Sequence, residues 1–340
     1  VILAVGGYTH TDGLLPAANG AGITLLAFDP DTGTLEKRRE YGEVPNPSYL
    51  CATEDALYAV SERFQAFGAV VRLERGPEGL REMWRASSEG LATCHVHVDP
   101  DERRVYAASY LDGKLMVLDA ETGRRLDLRA YEGSGPHSER QERAHAHQVL
   151  ATPDGARILV PDLGSDRVWV HEVGGGGDVG EPEGWELPPG TGPRHGWVTP
   201  DGSRVLVLGE LDGRIHPLEL KTGAPVGDPV SIAPEGWKKT HGSSAIRPHP
   251  LRPWLYAGHR GSETIAAFRW SREGALERIG SFPAGGAEPR DLVVDPTGNW
   301  LLTACQHADR IAVHGVREDG GLVARGTFDT GSPACLCFLT

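Results

Sequence analysis

The chain has 340 residues and sets 34 Lys and Arg against 47 Asp and Glu, for a formal net charge of −13 and a pI near 5.5. That balance argues against non-specific binding to nucleic acid or to an anionic membrane, and there is neither a basic run nor an apolar stretch of bilayer length. Cys51, Cys94, Cys305, Cys335 and Cys337 are too few and too irregularly spaced for a disulfide framework; with no leader pattern at the start, a cytoplasmic protein with reduced thiols is expected.

Taken in chain order, the elements repeat. Val1-Ile2-Leu3-Ala4-Val5 reads as the second strand of a unit that lacks its first. Runs containing Ile23, Val70, Leu115, Val168, Ile215, Ile265 and Ile311 follow at steps of 47, 45, 53, 47, 50 and 46 residues. Pro100, Pro153, Pro200, Pro250 and Pro296 each stand fifteen residues before one of these anchors. A constant internal geometry at a period near fifty marks one supersecondary unit copied along the chain. Within a unit, a first apolar run ends in a turn such as Pro153-Asp154-Gly155 or Pro296-Thr297-Gly298, where Pro presets φ and Gly accepts positive φ. A second run such as Val205-Leu206-Val207-Leu208, a third such as Arg310-Ile311-Ala312-Val313, and a variable closing segment such as 274–279 complete four strands. This is the blade of a β-propeller, and seven anchors mean seven blades. The chain ends on Cys335-Leu336-Cys337-Phe338-Leu339, which reads as the missing first strand. It is expected to pair as the innermost strand with Val1–Val5 and close the ring, leaving no open sheet edge. Closure makes residues 1–340 one all-β domain, where length alone suggests two. Gly174-Gly175-Gly176-Gly177 reads as a surface hairpin or loop.

The chemistry is found through the repeat register. In an antiparallel meander the start of strand one and the end of strand two share one end of the blade, and a propeller arranges equivalent positions in a ring around one axis. Six residues before the turn proline stand Cys94, His147, Arg194, Ser244 and Arg290, and ten residues after it stand Tyr110, Leu163, Glu210, Arg260 and Gln306. The second blade lacks that proline, but alignment on Leu57-Tyr58-Ala59-Val60 adds Ser48 and Glu62. One mouth of an acidic protein therefore gathers His, Arg and Glu while the strand interiors stay apolar. Convergent charged groups in a cleft point to a site; the plain alternative is a solvated salt-bridge lattice.

Local sequences add a resemblance. Asn46-Pro47-Ser48-Tyr49-Leu50, Cys94-His95-Val96-His97-Val98-Asp99-Pro100, Gly133-Ser134-Gly135-Pro136 with Arg140-Gln141, His145-Ala146-His147, Val160-Pro161-Asp162-Leu163-Gly164, Gly192-Pro193-Arg194-His195 and Pro289-Arg290-Asp291 are similar to the seven-bladed propeller lactonases. That family includes the propeller type of 6-phosphogluconolactonase and the fungal 3-carboxy-cis,cis-muconate cyclase. The resemblance spans nearly the whole chain and implies cleft residues His147, Arg194, Glu210 and Arg260. Two stretches depart from it: Ala144 stands where the family commonly has Pro, and 243–247 replace a stretch that commonly carries Glu and His.

Opening a lactone needs a base for water, an electrophile for the oxyanion and an acid for the leaving alkoxide. Glu210 or His147 is the expected base. Arg194, Arg260 and Arg290 are expected to clamp a carboxylate or phosphate and to stabilise the oxyanion, with His145, Glu62, Tyr110 and Gln306 completing the substrate site. The partner is then a small anionic lactone or carboxylate, taken by a monomer without cofactor. Cyclisation of an unsaturated diacid would use the same clamp, and a non-catalytic propeller would use the face for docking. The pairs His95/His97 and His145/His147 have a spacing that suits zinc or copper, but a third ligand is missing and wall histidines are the plainer reading. Trp169, Trp197, Trp254 and Trp300 read as packing between blades. Cys94, in the inner ring, reads as a small buried hydrophobe.

Overall fold

The computed structural model describes residues 1–12, 18–76, 79–175, 178–271 and 273–339. They form seven antiparallel sheets of four strands, each a meander except where the chain ends meet. In that blade the innermost strand is Pro333–Leu339, followed by Ile2–Gly7, Ile23–Phe28 and Leu35–Tyr41. Ile2 stands opposite Leu339 and Val5 opposite Leu336, so the C-terminal strand closes the ring as the apolar ends of the chain anticipate. The described residues contain no helix long and apolar enough to cross a membrane.

All seven anchor residues lie in third strands and are fully buried. The cores are shared between adjacent blades, as where Leu3, Val5 and Leu26 of the first blade pack on Leu302, Ile311 and Val313 of the last. Tryptophans secure these seams. Trp300 covers Gly33, which has φ +73° and no room for a Cβ beneath the indole. Trp254 packs on Gly320, Trp169 stacks on Tyr131 with centroids 5.2 Å apart, and Trp197 meets Trp270 at 5.0 Å. Gly174 donates its N–H to Asp178 and closes a hairpin, while Gly176 and Gly177 lie outside the described residues.

One irregularity recurs at the axis. The innermost strands pair Thr93 with Ser109 and then His95 with Ala108, so Cys94 is left out of the ladder. Arg194, Arg290 and Ala334 are skipped in the same way, as are Ser244 and Ala245 together. These bulges fall on the ring positions. A bulge re-aims the side chain of its extra residue, here toward the bore. It also lets consecutive pairs such as Arg194 and His195, or Arg290 and Asp291, line one chamber, where a regular strand sends neighbours to opposite faces.

Candidate active site

The site is built around Glu210, at the end of a second strand and only 3% exposed. Its Oε2 lies 3.0 Å from Arg194 Nε and 2.9 Å from Arg260 Nη2, and its Oε1 accepts from Arg140 Nη2 at 2.5 Å. Burial alone would raise the carboxyl pKa, but Arg260, Arg140 and Arg194 together outweigh it and hold Glu210 well below the usual carboxylate range. Arg260 is spent further on Glu288, at 3.0 Å, and on the carbonyls of Gly242 and Ser243. Arg194 donates Nη1 to the Ser244 carbonyl, and burial, with Arg260 beside it, pushes its pKa down to about 10. The cluster is not an empty clamp: Arg194 and Arg260 already hold a buried carboxylate, with the more exposed Arg140 on its outer side.

Arg290 is the exception. Its guanidinium lies over the Tyr8 ring, 5.1 Å from the centroid, and forms no ion pair among the described residues. Burial works against its charge, but Tyr8 and Glu62 more than compensate and raise its pKa. Glu62 accepts from Tyr8 Oη at 2.9 Å. Arg140, Arg194, Arg260 and Arg290 thus share the mouth with Glu62, Glu142, Glu210 and Glu288, and Arg290 is the guanidinium left without an ion pair among the described residues.

His147 stands across the ring with Nδ1 3.9 Å from Cys94 Sγ. Burial, reinforced by Arg194, holds the imidazole neutral, with its pKa well below the ordinary 6.5. Tyr110 stacks on His145 at 4.4 Å and meets His147 edge-on at 5.5 Å. Both nitrogens of His145 are engaged, one with the Tyr110 carbonyl at 2.8 Å and one with Glu142 at 3.1 Å. Gln306 is buried at the mouth, and its Oε1 has no partner. Leu163 belongs to the same ring but adds only an apolar wall. Burial, with Glu62 adding to it, pushes the Cys94 thiol well up, away from the thiolate a nucleophile needs.

Register reasoning misses the layer beneath. Tyr49 and His95 pack at a tilt, 4.1 Å between centroids, and His195 meets His95 at 6.0 Å and His147 at 5.6 Å. Arg247 bridges Tyr49 Oη, at 3.1 Å, and Asp291, at 2.7 Å. It misses Arg140 as well, which lies in the long connection before the short inner strand Leu150–Ala151 and has no counterpart in other blades. His95 and His97 both line the cavity at the far end of the bore, while His145 and His147 flank Tyr110 at the mouth. No group of three His, Cys, Asp or Glu suited to a metal occurs among the described residues.

A closed seven-bladed propeller whose axial mouth holds buried arginines, a buried glutamate and a neutral histidine presents the polar axial site of a propeller enzyme. Residues 2–339 match the family described as lactonase, 7-bladed beta-propeller, and the chain belongs to that family of enzymes. The 6-phosphogluconolactonase of Bacillus subtilis (strain 168) is 26% identical, over 94% of each chain. A crystal structure of a Lactobacillus plantarum protein superposes with a TM-score of 0.90 at 28% identity, covering 100% of this chain and 99% of that one. The Pseudomonas aeruginosa periplasmic gluconolactonase PpgL has the same fold, with a TM-score of 0.91 at 24% identity over 100% and 99% of the two chains.

Proposed function

We propose that this protein hydrolyses an anionic sugar-acid lactone such as 6-phosphogluconolactone. The observation that carries the reading is the Arg290 guanidinium, without an ion pair among the described residues, set in one mouth with His147 and the arginines around Glu210. Arg290 takes the anionic group of the substrate, for which a guanidinium is better shaped than an ammonium. His147 is the base. Glu210, its oxygens taken up by Arg140, Arg194 and Arg260, is not free to act as one, and instead holds Arg194 toward the developing oxyanion, while Arg260, with every nitrogen engaged, braces Glu210. Tyr110, braced by His145, and Gln306 form the walls. Water adds to the lactone carbonyl as His147 takes its proton; the ring C–O bond then breaks and the imidazolium returns that proton to the leaving alkoxide. The tyrosines of the mouth support a pocket over a docking face, since Tyr8 is engaged with Glu62 and Arg290, and Tyr110 with His145. All five cysteines are unbridged, which supports a cytoplasmic location, testable by fractionation.

The test is pH-stat hydrolysis of 6-phosphogluconolactone, glucono-δ-lactone and a muconolactone. Arg290→Ala is expected to raise KM for the charged lactone about 10-fold or more, from loss of a charge-assisted contact worth roughly 1.5–3 kcal/mol, and to change the uncharged one little. His147→Asn is expected to lower kcat about 100-fold, the scale of positioned general acid–base catalysis, and the rate is expected to persist in EDTA. Wild type inert toward all three lactones, or both variants matching it, overturns the reading.

A further inference from the structure

Beneath the mouth ring, on the propeller axis, lies a small chamber of about 10 Å³ lined by Ser48, Cys94, His147, Arg194, His195 and Arg290 among others. That is the room one water molecule needs. Two of its walls carry buried polar atoms with no protein partner, Ser48 Oγ and His195 Nδ1. Such orphans are costly unless something bonds them, and one small donor–acceptor molecule in the chamber would serve both. Tyr49, Asp291 and Ala334 complete its walls, and the space they leave suits nothing larger than a water.

We propose that this chamber binds a single water between Ser48 Oγ and His195 Nδ1, and that this water is the nucleophile that opens the lactone. The inference rests on the lactonase reading and deepens it, making Ser48 and His195 positioning residues for the attack. The water oxygen forms the new bond to the carbonyl carbon, its proton passes to His147, and the proton leaves again with the ring oxygen as that C–O bond breaks. A site sized for water also excludes other nucleophiles.

The experiment is product analysis in aqueous methanol, run with steady-state kinetics and melting curves. Wild type is expected to yield acid and no methyl ester, whereas Ser48→Gly, with its chamber enlarged, is expected to yield both. Ser48→Ala and His195→Leu are expected to lose about 10-fold or more in kcat at unchanged KM. His195→Asn, whose amide reaches the place of Nδ1, is expected to regain part of it; equal loss in both His195 variants means a packing role and overturns the assignment. So does methyl ester from wild type in proportion to methanol, or unchanged kcat in Ser48→Ala and His195→Leu; in these cases wild-type hydrolysis still upholds the lactonase reading. Wild type opening no lactone removes both. Independently of activity, a high-resolution crystal structure is expected to show one water bonded to both atoms, and an empty chamber or a halide there overturns the proposal.

Discussion

Replacing Glu210 with Gln tests the electrostatic reading most directly. The substitution keeps the shape and one acceptor oxygen but strips the charge that Arg140, Arg194 and Arg260 share at 2.5–3.0 Å. Three guanidiniums, two of them well buried, then face one another without a counterion. Breaking a buried ion pair from one side costs about 3–5 kcal/mol. With an unfolding entropy of about 2.1 cal/mol/K per residue, a chain of 340 residues loses roughly 4–7 °C in Tm. The same geometry predicts rescue: the unmasked arginines form an anion site, and sulfate at ten times its Kd returns about 1.4 kcal/mol, or roughly 2 °C. Differential scanning fluorimetry over a sulfate series measures both effects. Glu36→Gln is the control, because its pair with Arg38 is largely exposed and such pairs contribute at most about 1 kcal/mol. Glu210→Gln melting with wild type, and gaining no more than wild type from sulfate, would refute the argument. The position in the repeat suggests a rim residue tolerant of change; burial makes it a keystone instead.

Acid should weaken the fold through the bore. Burial, aided by nearby positive groups, keeps His95, His147 and His195 neutral in the native state, whereas unfolded they protonate below about 6.5. The unfolded chain therefore binds more protons, and stability falls as pH drops below that value, with a limiting slope of about 1.4 kcal/mol per pH unit for each histidine. Glu210 has the opposite charge but the same sign of effect: its depressed pKa contributes stability above 4.5 that is lost at lower pH. Urea titrations at pH 7.5, 6 and 5 read this out, and a constant midpoint would contradict it. Closure has its own test: removing the last eight residues takes away the innermost strand paired to Ile2–Gly7 and exposes an apolar edge, so aggregation or loss of cooperative melting is expected. A truncated protein that stays soluble with unchanged Tm would disprove that role.

The blade count and the ring at the mouth were legible in the sequence because both follow from spacing. A turn proline fixes where strand one ends, so counting back to His147, Arg194 or Arg290 and forward to Glu210 or Arg260 reaches the same rim in the five blades that carry it. Partnering was not legible. Nothing in the spacing distinguishes Arg260, engaged by Glu210 and Glu288, from Arg290, which is left free over Tyr8. Tyr8 comes from the first blade, whose inner strand is the last in sequence, so it stands far from Arg290 in the chain.

The inner layer was hidden for a different reason. Alternation along a regular strand assigns His195 and Asp291 to the face opposite Arg194 and Arg290, and only the bulges bring both members of each pair to one chamber. Those bulges leave no mark of their own in the sequence. Yet they explain how a scaffold of near-identical blades makes an asymmetric site. A bulge at an equivalent place in most blades aims one side chain at the axis, whatever its chemistry, and the sequence is then free to fill the ring with Ser48, Cys94, His147, Arg194, Ser244 and Arg290 without disturbing the apolar seams outside it. Specificity in this fold is therefore set by few positions close to the axis, and the blades serve to hold those positions rigidly around the buried ion pairs of the mouth.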